Sequence, residues 1–237
     1  MTLPNGLRLI VQPQSISDTV SIYGRLRTEP DLQTPPSQEG VDQVLAELFA
    51  FGTKTLDRVA LLRALNDIGA ELTAGTDFSV QVLSRCFDRA VQLLADNELY
   101  PALSEEAFKV VREQVAAAVA GKLQSPDYLT QRALATALLP QGDPRLRQAT
   151  PQTVSALTLQ DIKNYHGRVF RPDLTTLVVI GKVTPEQLRP LSRNTSGPGR
   201  RRDPSPRRTC HRCCLTPPRS SPSRTTAACR IRSSSPR

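Results

Sequence analysis

The chain has 237 residues, a formal charge of +9 and 38% hydrophobic residues, enough for one or two domains with a real core. The charge is unevenly placed. From Ser192 to the end there are twelve arginines, no lysine and one acid, a net of +11 that leaves residues 1–191 at −2. The body is therefore an ordinary, mildly acidic globular chain. Its single cysteine, Cys86, excludes a disulfide framework there. No apolar run reaches the roughly 18 residues of a membrane helix, so no membrane partner is expected. Met1–Gly6 has neither a basic nor an apolar region of a secretory leader. That start is compatible with a chain that begins inside a longer protein. The compartment is not legible.

In chain order, Leu7–Gln12 reads as a strand opened by the Pro4-Asn5-Gly6 turn signal. Thr19–Thr28 reads as its partner, with Val20, Ile22, Gly24 and Leu26 alternating against polar neighbours. After a loop, Gly40–Thr53 carries a strongly amphipathic helix. Val41, Val44, Leu45, Leu48 and Phe49 form one stripe, Ser37 is the expected N-cap and Gly52 the stop. A second helix is expected from Asp57 to Ile68 with Val59, Leu62 and Leu65 inward. A hairpin around Gly75 and a helix over Phe87–Asn97, with Phe87, Val91 and Leu94 in register, follow. Cys86 between them reads as a small half-buried residue.

Ser104 caps the next helix, whose buried face is Phe108, Val111, Val115 and Val119. Ser125-Pro126-Asp127 starts another, with proline in its first position. Thr150-Pro151 and Thr158 mark two more starts. The second of these helices has Leu159, Ile162, Tyr165 and Val169 inward and His166 at the surface or half-buried. Leu174–Val183 is an apolar closing strand.

Three stretches carry a resemblance. They are Leu-Pro-Asn-Gly-Leu-Arg-Leu-Ile-Val at the start, Gly40–Thr53, and Phe-Arg-Pro-Asp-Leu-Thr-Thr-Leu-Val-Val-Ile-Gly at the end. In that order, over about residues 3–190, they resemble a domain of the M16 metallopeptidases (insulinase, pitrilysin, mitochondrial processing peptidase). The resemblance implies an α+β domain of the M16/LuxS-like metallohydrolase type, an antiparallel sheet with helices packed mainly on one face. The expected domain is 1–190.

The family's helix reads Gly-x-x-His-x-x-Glu-His-x-x-x-x-Gly-Thr. Two imidazoles one turn apart hold zinc, and the glutamate acts as base on the metal-bound water. Gly40, Gly52 and Thr53 keep the frame here, but the chemical positions fall on Gln43, Ala46 and Glu47. A neutral amide, a methyl group and one carboxylate do not make that site. Glu113 is nearest to the family's third ligand, a glutamate on a later helix. The only histidines are His166 and His211. Glu47 and Glu113 are thus at most vestigial metal positions, and neither a catalytic residue nor a cofactor is expected in this chain, although active relatives use zinc. The resemblance implies a catalytically inactive unit, truncated from a larger zinc protease, that shapes a peptide chamber. Its partners would be other M16 domains, in cis or as a second subunit, and peptide substrates. A periplasmic or cell-envelope place in a bacterium is compatible with it.

From residue 191 the text turns to Arg, Pro, Ser, Thr and Cys without periodicity, and it reads as a disordered tail. Three origins compete: a basic arm for nucleic acid, a metal knuckle at Cys210-His211-Arg212-Cys213-Cys214, and out-of-frame sequence. The last is favoured, because the change falls where the family would continue into its next domain. Nucleic-acid binding through the tail is the rival function.

Overall fold

The computed structural model describes residues 2–183 apart from 4 and 30–32. The boundary expected near 190, His211 and the tail cysteines lie outside the described residues. Five strands form one sheet in the order β1-β5-β2-β4-β3. They are β1 (Arg8–Pro13), β2 (Thr19–Leu26), β3 (Glu71–Thr73), β4 (Asp77–Leu83) and β5 (Thr175–Gly181).

Two expectations need correction here. β1 does not pair with β2, and the sheet is mixed rather than wholly antiparallel. β5 lies between them, parallel to β1 and antiparallel to β2. The reason is in the side chains. Leu177 and Val179 of β5 face one way and Val178 and Ile180 the other, so the strand is apolar on both faces and takes an inner position. β1 is mostly exposed and serves as an edge.

The register sorts the two faces. One rung is Val11, Val179, Ile22, Val80 and Leu72; the next outward-facing rung is Ile10, Val178, Tyr23, Ser79 and Thr73. The first belongs to the core, whereas Ile10 and Tyr23 are 54% and 52% exposed. The described helices pack on the inner face.

Helix α1 (Val41–Leu48) buries the expected stripe and continues through a 3-10 turn, Phe49–Phe51, to Gly52. Its N-cap is Gly40, not Ser37. Both have positive φ, 96° and 73°, so the chain turns twice before the helix begins and Ser37 stands too early to cap it. Helix α2 (Arg58–Asp67) is capped by Asp57, whose carboxylate accepts from the Ala60 N–H. Its inward pair is Leu61 and Leu65; Val59 and Leu62 are exposed. The expected stripe was therefore rotated. Apolar residues occupy several faces of this helix, and packing on β3 and the following helix selects one.

Helices α3 (Phe87–Leu99) and α4 (Glu105–Leu123) bury the faces read from the sequence. The Ser104 side chain accepts from the Ala107 N–H as a cap. Burying a side chain such as Phe87 or Leu93 contributes about 1.5–3 kcal/mol. Helix α5 (Pro126–Leu138) is different, because no residue of it is fully buried. Helices α6 (Pro151–Ala156) and α7 (Leu159–Val169) both start in capping boxes, and α7 buries Ile162, Tyr165 and Val169. α4 and α7 pack on α1, which places the Gly40–Thr53 stretch at the centre of the helical layer.

Candidate functional site

The side of α1 turned away from the core carries the positions on which the resemblance places the family's chemistry. Val41, Val44, Leu45 and Leu48 face the core, so Ala46 and Glu47 point to solvent and Gln43 is half-buried at the rim of a cleft. Glu113 is exposed on α4, midway between the buried Val111 and Val115 in sequence and off their face. This donor set does not fit zinc. Gln43 brings a neutral amide, Ala46 brings no donor, and Glu47 is a single solvated carboxylate. Among the described residues no three His, Cys, Asp or Glu side chains are grouped to hold a metal ion.

The frame residues have work of their own. Gly52 has φ 98° and ψ −163°, a conformation essentially reserved for glycine, and a Cβ there would lie 2.5 Å from the Leu56 carbonyl. Thr53 is buried, and its hydroxyl accepts from the Leu56 N–H at 3.0 Å and the Thr55 N–H at 3.2 Å. A Cβ on Gly40 would press on Val154 of α6 at 2.7 Å. The Gly…Gly-Thr frame thus follows from folding, without any metal.

His166 is half-buried and has structural partners. Its Nε2–H donates to the Glu98 carbonyl at 2.8 Å, and its ring stacks on Phe170 with centroids 4.6 Å apart. Burial holds its pKa below the ordinary value, although the Glu98 bond opposes this. Cys86 is half-buried, as its neighbours suggested.

Two acids escaped the sequence reading. Glu98 is 7% exposed, and its Oε1 accepts from the Gly75 N–H at 2.8 Å. Burial pushes its pKa up to about 8, against the lowering effect of that bond. A signal was present: Phe87, Val91 and Leu94 continue in step to position 98. The second is Asp42, in the first turn of α1. Its pKa is raised by burial, while its carboxylate accepts the backbone N–H groups of Gln43 and of Asp42 itself. Asp42 and Gln43 line a polar cleft of about 280 Å³ between α1, the end of α4, α5 and the segment before α6.

The sheet and helices define an α+β domain of the kind found in zinc peptidases. Solved structures with this fold include a protease from Helicobacter pylori (TM-score 0.70, 20% identity, 83% of this chain and 49% of that one). A peptidase M16 inactive domain from Pseudomonas fluorescens is similar (TM-score 0.72, 16% identity, 83% and 49%). No family model matches the sequence. Curated relatives are uncharacterized zinc proteases of Mycobacterium leprae and Mycobacterium tuberculosis, each 26% identical over 206 residues and 83% of this chain. The chain is thus similar to M16 peptidase domains in fold and to these zinc proteases in sequence. It spans about half the length of these relatives, 45% and 46%.

Proposed function

We propose that this chain is a non-catalytic M16 unit that walls a peptide-holding chamber in a larger zinc protease. The observation that carries the reading is the solvent side of α1, where Gln43, Ala46 and Glu47 stand in place of two ligands and a base. Proteolysis would then belong to another unit. The frame residues keep the fold, and the substituted positions remove the chemistry.

The partner in this reading is a second M16 unit, and the surface that suits it is the outer face of the sheet. Ile10, Val178 and Tyr23 lie side by side across three strands there, with Ile180 half-buried beside them. A solvated sheet face normally alternates to polar residues; this one has an apolar strip at its middle. The match to about half of each relative accords with a neighbouring unit.

The test is metal content and activity of the full chain beside Glu47→Ala. The expected result is identical zinc content in the two proteins and no chelator-sensitive cleavage of a peptide library. Loss of one equivalent of zinc on Glu47→Ala, or chelator-sensitive cleavage abolished by it, overturns the proposal. The comparison with Glu47→Ala also subtracts any zinc held by the tail thiols.

A further inference from the structure

We propose that the cleft between α1 and α5 is a binding site for the free carboxylate of a peptide, with Arg132 as its principal partner.

The walls of the cleft are arranged unequally. Its outer segment is held by its own arginines: Arg147 donates to the Thr34 carbonyl at 2.9 Å and lies 3.7 Å from Glu39, and Arg145 pairs with Asp143 at 2.7 Å. Tyr128 of α5 donates to Gln148 at 2.8 Å and ties the helix across the opening. Arg132, one turn further along α5, faces the same cleft and is half-buried. Among the described residues its guanidinium makes no hydrogen bond or ion pair. A guanidinium on a half-buried side chain without an anion has no charged partner to offset the hydration it gives up. Its planar fork matches a carboxylate with two parallel hydrogen bonds.

The rest of the lining supplies what a peptide end requires. Lys122, at the end of α4, brings a second cation whose nearest ring is Tyr128, 5.6 Å away. The amides of Gln43 and Gln131 offer both donors and acceptors for a peptide group next to the carboxylate. Two acids line the cleft and both are already engaged: Glu39 lies beside Arg147, and the carboxylate of Asp42 accepts first-turn N–H groups of α1 and feels the charge of Lys122. The cleft's volume of about 280 Å³ suits a terminal residue rather than a long segment. Because α5 buries no residue fully, it can adjust to an occupant.

The choice of a peptide as carrier rests on the chamber reading above; the carboxylate site itself does not. The experiment is titration calorimetry of the full chain at about 150 mM salt, where long-range attraction to the basic tail is screened. The probes are N-acetyl-trialanine as free acid, the same peptide as its C-terminal amide, and inorganic phosphate. The free acid is expected to bind saturably and the amide at least about tenfold more weakly, the scale of one charged hydrogen-bonded pair. Arg132→Gln is expected to impose a similar loss. Lys122→Gln, at an exposed position, is expected to weaken the acid by a smaller factor. Equal binding of acid and amide overturns the proposal, as does affinity unchanged in both variants. Phosphate binding that needs Arg132, without binding of the free acid, replaces it with a phosphate site. None of these failures touches the metal and activity comparison that tests the chamber reading.

Discussion

The carboxyl group of Glu98, near the end of α3, holds the Gly75 N–H in the turn between β3 and β4 at 2.8 Å. The bond joins the helical layer to the hairpin, and it is made by an acid with almost no access to water. Its Oε2 is buried and has no hydrogen-bond partner among the described residues. Burial therefore favours the neutral form and raises the pKa from 4.5 to about 8.

A raised folded-state pKa makes the contribution of Glu98 to stability complete below about 4.5 and lost as pH rises through about 8. Urea midpoints measured from pH 5 to pH 9 should fall across this window. Glu98→Gln keeps the acceptor for Gly75 and has no proton to lose, so its midpoint should be flatter and should exceed that of the native chain at pH 9. Glu98→Ala leaves the Gly75 N–H unpaired and should cost about 1–3 kcal/mol at pH 6. A native midpoint independent of pH over this range would refute the assignment.

Gly24 of β2 stands opposite Phe78 of β4, and the Phe78 ring lies over the glycine. A Cβ at position 24 would clash with Cε2 and Cζ of that ring. Gly24→Ala should destabilise the domain by about 1–3 kcal/mol. Replacing Phe78 by Leu in the same chain should recover part of the loss, because the side chain in the way is then smaller. The double-mutant cycle reads the coupling directly, and additive effects would show that the two positions do not interact.

Gly52→Ala places a side chain where φ is 98° and the Leu56 carbonyl is in contact. The expected cost is about 1–3 kcal/mol, seen as a lower melting temperature. Gln43→Ala, half-buried at the rim of the cleft, should stay within about 0.5 kcal/mol of the native chain. The contrast separates residues that hold the motif's frame from residues that stand at its chemical positions. A harmless Gly52→Ala would mean that the frame has no structural cause.

The outer sheet face should make the isolated chain associate. Ile10→Lys with Tyr23→Lys puts charge on the exposed apolar strip without touching the inner rungs. Sedimentation over a concentration series should show the native chain associating and the variant less so, with little change in melting temperature. A native chain that stays monomeric at every concentration would leave this face without a partner.

Much of the molecule was legible in the residues alone. The stripes of α1, α3, α4 and α7, the Ser104 and Thr158 caps and the Gly75 hairpin follow from local periodicity and capping chemistry, which act over a few residues. The donors that Gln43, Ala46 and Glu47 carry or lack were also there to be read, since a side chain's donors do not depend on the fold. The neighbours were not. Alternation in β1 and β2 tells which residues face together but not which strand lies beside which, and β5, distant in sequence, entered between them because it is apolar on both faces. On α2 two stripes were available, and only contact with β3 and α3 settled on Leu61 and Leu65. The buried acid at Glu98 and the cleft around Arg132 depended on the tertiary structure as well, because burial and an unpaired charge are properties of what surrounds a side chain.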